Sequence, residues 1–144
     1  MQVSELIVKY LEQLEIRQIF GIPGAHILPV YDSLYDSSIH SILVKHEQGA
    51  AFMAGGIART TGKVSACIAT AGPGATNLVT GIANAYADQL PLLVITGETP
   101  THISEKVAYK RVLVKGVALT RANYSKELPD TIRLLNVRTI YKTY

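Results

Sequence analysis

Between residues 19 and 95 the sequence repeats one pattern: a short apolar run, a loop carrying glycine, proline or charge, then a segment of helical length. The apolar runs fall at residues 19–20, 41–44, 64–69 and 91–95, and the longer segments at about 26–36, 47–61 and 75–87. Ahead of them Val3, Leu6, Ile7, Tyr10, Leu11 and Leu14 recur at helical spacing, which predicts an amphipathic helix over residues 3–15 with Ser4 near its start. Apolar runs this short, bounded by turn residues, read as buried strands. Strands that alternate with helices form βαβ units. The expected class is therefore α/β, a doubly wound and mainly parallel sheet with helices on both faces. The pattern is clear over residues 1–104, read as the core of one domain, and faint over 105–144, read as a divergent or truncated end of the same domain. Within that end, Ile132 and Leu135 fit the apolar side of a helix beginning near residue 129.

A chain of 144 residues with 48% hydrophobic and 17% charged side chains is long enough for one packed core and too apolar for disorder. No apolar run approaches the length of a membrane span, so no membrane association is expected. Residues 1–15 carry Glu5, Lys9, Glu12 and Glu15 through their apolar pattern, which does not suit a secretory signal. The single cysteine, Cys67, excludes an internal disulfide and a cysteine metal cluster and points to the cytoplasm; it is expected to pack in a strand. Residues 1–105 hold five Lys/Arg against nine Asp/Glu, and residues 106–144 nine against two. The bases of the second stretch are scattered and accompanied by no recognition motif, so no nucleic acid partner is expected.

In parallel sheets ligands bind beyond the carboxyl ends of the strands. The loops that fall there, residues 21–24, 45–48, 70–77 and 96–98, are also the least generic parts of the chain. Each has a plain structural reading. Glu47 suits the positive end of a helix. Residues 72–77 lack the Lys-Ser/Thr of a P-loop and do not match GxGxxG; they read as a tight strand-to-helix turn, with Thr76 or Asn77 bonding the first helical turn. Pro23 and Gly24 suit a turn. His46 serves a local hydrogen-bond network or a partner interface, with no metal spacing around it.

Three segments carry more. His46-Glu47-Gln48-Gly49-Ala50-Ala51 is similar to the glutamate motif of thiamine diphosphate (ThDP) enzymes, and the turn from Ala71 through Gly72, Pro73, Gly74 and Asn77 to Leu78 resembles the glycine-rich turn of the same domain. Phe20-Gly21-Ile22-Pro23-Gly24 supplies a third match upstream, and order and spacing agree from about residue 3 to 100. The chain thus resembles the N-terminal pyrimidine-binding domain of the acetolactate synthase-like ThDP enzymes, a flavodoxin-like fold. That resemblance implies Glu47 as the catalytic carboxylate and Pro23, Gly24, Glu47, Pro73 and Asn77 as cofactor contacts. It implies a carboligase or decarboxylase acting on pyruvate or another 2-oxo acid, as in branched-chain amino acid synthesis. His26 either touches the substrate or caps a helix; Tyr109 and Lys110 are further substrate candidates.

The glutamate has a chemical rationale. The cofactor's aminopyrimidine acts as an internal base only as its imino tautomer, which a carboxyl group at ring nitrogen N1′ favours. Such a glutamate is expected to be desolvated, and the small residues Gly49, Ala50 and Ala51 would let a flat ring approach. Positioned acid–base groups contribute about 10²–10⁴-fold.

The sequence departs from the family in places. Ala25-His26 stands where acetolactate synthases often have Gly-Ala, and Lys110 beside Tyr109 replaces a glutamine. No Gly-Asp-Gly followed by Asn is present, so Mg²⁺ and the diphosphate are expected to need a separate domain; this chain holds no metal ligands, and an FAD domain is absent. The expected partners are a second copy in a homodimer or a separate diphosphate-binding chain, and the chain alone is expected to be inactive. The alternatives are a truncated remnant that self-associates without catalysis and an unrelated flavodoxin-like nucleotide binder, which Glu47 and its neighbours argue against.

Overall fold

The computed structural model describes residues 2–97 and the backbone of two further strands, Ser125–Glu127 and Ile132–Asn136. In chain order the elements are α1 (Val3–Gln13), β1 (Gln18–Gly21), α2 (Leu28–Tyr35), β2 (His40–Leu43), α3 (Glu47–Thr61), β3 (Ser65–Ala69), α4 (Pro73–Asn77), α5 (Val79–Ala87), β4 (Leu92–Gly97), β5 (Ser125–Glu127) and β6 (Ile132–Asn136). The strand order is β2-β1-β3-β4-β6-β5. The first four strands are parallel, and β6 and β5 add to the β4 edge in antiparallel sense. β1 lies between β2 and β3, so the chain runs outward from β1 and then crosses back. The doubly wound α/β fold read from the sequence is the one formed.

Strand side chains alternate between two cores. Ile19, Ala66, Ile68, Leu93 and Ile95 join Ile7, Leu11, Ile27, Val30 and Leu34 of the α1–α2 layer. Phe20, Cys67, Ala69, Leu92 and Val94 join Ala50, Ala51, Ala54, Ala58 and Ala85 of the α3–α5 layer. Because β3 and β4 are covered on both faces, both of their side-chain rows are buried, and the strands read as continuous apolar runs. The second layer uses small residues for a steric reason. A Cβ added to Gly81 of α5 would lie 2.4 Å from Ala51 Cβ, so the two helices meet almost backbone to backbone.

Two expectations change. The helix expected from residue 129 is instead strand β6, paired with β4 from Leu93↔Asn136 to Gly97↔Ile132. The run Ile132-Arg133-Leu134-Leu135 fits either period at this length, and the open edge of β4 decides between them. The helix expected over residues 75–87 begins earlier, at Pro73, and is interrupted at Leu78, whose N–H bonds Ala75 O in a tighter three-residue turn. Gly72 sets the early start: its φ of 69° is one that side chains rarely adopt, and Pro73 follows with its φ already suited to a first helical turn. Among the described residues no helix is long and apolar enough to cross a membrane.

Candidate functional site

The carboxyl ends of β1, β2 and β3 and the helix starts that follow them meet in one place. His46, in extended conformation, caps α3 by accepting the Gln48 N–H on Nδ1 at 3.2 Å. That cap fixes the start of the helix and makes Glu47 its first residue, where the unpaired N–H groups of the opening turn suit a carboxylate. His46 thus serves a local network, one of its two readings.

Glu47 is half-buried. Its Oε2 accepts a hydrogen bond from Asn77 Nδ2 at 2.9 Å, while Oε1 lies 3.4 Å from the point a Cβ on Gly74 would occupy. Asn77 therefore leaves its own turn to hold Glu47, and Thr76 closes the turn instead, donating its hydroxyl to Pro73 O at 3.0 Å. One carboxylate oxygen is tied down and the other has no hydrogen bond among the described residues. The desolvation expected for this glutamate is only partial within this chain. Ala50 and Ala51, expected to admit a ring, are fully buried against the sheet; Gly49 alone has open space where its side chain would be.

Thr70, which follows β3, joins the remaining pieces. A Cβ on Gly24 would lie 2.5 Å from Thr70 Cβ, and one on Gly74 would lie 2.9 Å from Thr70 Cγ2. The glycines of both loops thus make room for Thr70 and let the loops close on the end of β3. Thr70 Oγ1 is 3.3 Å from His26 Nδ1. His26 does not cap α2: Ile27 is the N-cap residue and no side chain bonds that end. His26 packs instead against Gly97 at the end of β4, where an added Cβ would be 2.6 Å from His26 Cβ.

Glu47, Asn77, Gly74, Thr70, Gly24 and His26 therefore form a connected set. Pro23 and Pro73 are exposed at its border, on the loop before Gly24 and at the start of α4. Tyr109 and Lys110 lie outside the described residues. Thr70 is the member that sequence reasoning missed as a site residue; its one signal is a hydroxyl directly after the apolar run of β3. Among the described residues no three His, Cys, Asp or Glu side chains are grouped to hold a metal ion.

Residues 1–119 match the family described as thiamine pyrophosphate enzyme, N-terminal TPP binding domain. The chain is 48% identical over 136 residues to the acetolactate synthase isozyme 1 large subunit of Escherichia coli, covering 90% of this chain and 24% of that protein. It is 45% identical over 139 residues to a probable acetolactate synthase large subunit of Methanocaldococcus jannaschii, covering 92% and 24%. With the E. coli isozyme 2 large subunit the identity is 44% over 125 residues, covering 87% and 23%. The chain spans about a quarter of the length of these relatives.

Proposed function

Because this chain belongs to the thiamine pyrophosphate enzymes, as their N-terminal TPP-binding domain, we propose that it forms the pyrimidine-side wall of an acetolactate synthase-like carboligase or decarboxylase acting on pyruvate or another 2-oxo acid. The observation that carries this reading is the state of Glu47, with Oε2 held by Asn77 and Oε1 without a hydrogen bond among the described residues. An aminopyrimidine offers a ring nitrogen, N1′, that suits a single carboxyl oxygen on a fixed side chain. The residues present fit the cofactor on that test. Glu47 would hold a proton at N1′, Asn77 would fix the carboxyl plane, and the backbone at Pro23, Gly24 and Pro73 would border the ring. Thiamine diphosphate, when bound, supplies a thiazolium carbon that adds to the 2-oxo acid carbonyl and accepts the electrons released as carbon dioxide leaves. The diphosphate and its Mg²⁺ would be held by a separate diphosphate-binding domain.

The exposed side of α3 supports such a partner. Phe52, Met53 and Ile57 are 42%, 50% and 38% exposed on the helix that Glu47 opens, apolar surface that a partner would cover. The test combines the chain with a candidate diphosphate-domain partner, ThDP, Mg²⁺ and pyruvate. Carbon dioxide release that disappears with Glu47→Gln is the expected result; release unaffected by that change overturns the assigned role.

A further inference from the structure

His26 and Thr70 stand 44 positions apart in the chain and meet at 3.3 Å between Nδ1 and Oγ1. Neither side chain has much freedom there. Thr70 Cβ lies against Gly24 and its methyl Cγ2 against Gly74, at 2.5 and 2.9 Å from where side chains on those glycines would begin. With Cβ and the methyl group placed, the hydroxyl oxygen takes the remaining staggered position. His26 Cβ is set in the same way against Gly97.

A neutral imidazole carries one proton, and the partner of one nitrogen decides where it sits. Among the described residues the Thr70 hydroxyl makes no other hydrogen bond, so its proton is available to Nδ1; the opposite sense, with Nδ1–H donating to Oγ1, belongs to the other tautomer. In the first sense the ring proton is on Nε2, on the far side of the ring from Thr70. We propose that Thr70 is a positioning residue that holds His26 as the Nε2–H tautomer, ready to donate to a carboxylate or carbonyl oxygen of the 2-oxo acid. The substrate half of this proposal rests on the function proposed above; the tautomer half does not.

The two halves are read separately. In the full chain with ¹⁵N-labelled histidine, at about pH 8 where imidazole is neutral, long-range ¹H–¹⁵N correlation reports which ring nitrogen is protonated, and His26→Gln assigns the signal. Wild type is expected to show an unprotonated Nδ1, Thr70→Val a mixture of tautomers, and Thr70→Ser the wild-type pattern. A protonated Nδ1 in wild type, or an unchanged tautomer in a folded Thr70→Val, overturns the proposal; the wild-type spectrum alone decides it should Thr70→Val not fold. In the enzyme assembled with its diphosphate-domain partner, Thr70→Val is expected to raise KM for pyruvate about tenfold, the weight of one hydrogen bond, with kcat changed less and Thr70→Ser restoring it. An unchanged KM overturns the substrate half. An assembly that releases no carbon dioxide even as wild type refutes the proposed function and leaves the tautomer result standing.

Discussion

Asn77 Nδ2 donates to Glu47 Oε2 at 2.9 Å, tying the last residue of α4 to the first residue of α3. Hydrogen bonds to charged groups contribute about 1.5–3 kcal/mol when sheltered, and less where both partners reach solvent. Asn77→Ala is therefore expected to destabilise the chain by about 1 kcal/mol, read from urea unfolding midpoints. Asn77→Asp should cost more, because two carboxylates would then face each other. Equal stability of the two variants would contradict the contact.

A glycine within the site and one away from it should respond to alanine in opposite ways. Gly74→Ala places a methyl group 2.9 Å from Thr70 Cγ2 and 3.4 Å from Glu47 Oε1, so one of them must move. A loss of roughly 1–3 kcal/mol follows from overpacking. Gly56, exposed in the middle of α3, has nothing within 4 Å of an added Cβ. Gly56→Ala should therefore stabilise the chain by about 0.5–1 kcal/mol through helix propensity. Thermal unfolding of the two variants, run side by side, checks both signs.

Cys67 lies in β3 and is fully buried, and burial alone pushes its thiol up to about 12. Reactivity requires the thiolate and access to it. The native chain should leave an aromatic disulfide reagent unreacted at neutral pH over hours, and modification should track global unfolding as urea is added. Rapid labelling without denaturant would show that β3 is open on that timescale.

Two surface carboxylates link stability to acid. The Ser38 backbone N–H, and after it the Ser38 hydroxyl, hold Glu12 below its ordinary 4.5; the hydrogen bond from Lys63, and after it the Lys63 charge, do the same for Glu15. A carboxyl group lowered on folding adds stability that is present above its unfolded value and lost as pH falls through its folded value. The contribution of these two groups is thus expected to be level above about pH 5 and to fall below about 4.5, with Glu12→Gln flattening part of the fall. Salt should weaken the Glu15 contribution, an exposed ion pair 2.7 Å long, more than that of Glu12, whose donors are uncharged.

Much of this architecture is written locally. The bounds of α3 follow from a run of alanine and glycine between a turn and Gly62, and Glu47 stands at its start as expected. Apolar strands buried on both faces announce themselves by continuity, as β3 and β4 do. What local reading misses depends on a distant partner. Residues 132–135 carry no period of their own and become a strand because β4 offers an edge. The start of α4 depends on the backbone of Gly72 rather than on an apolar pattern. Asn77 looks like a turn residue until Glu47 is beside it, and Thr70 looks like the end of a strand until His26 is.

The connections of the site have a consequence for how the chain behaves as a whole. Its two side-chain bonds close loops of 30 and 44 positions, and each joins a different pair of β–α connections. No short stretch of the unfolded chain can preform such a constellation, and contacts of this sequence separation are slow to form. Ligand recognition and completion of the parallel sheet are then one cooperative event. A molecule that binds this corner draws the whole sheet toward the folded state by mass action, and a substitution deep in β3 can lower affinity without touching the ligand.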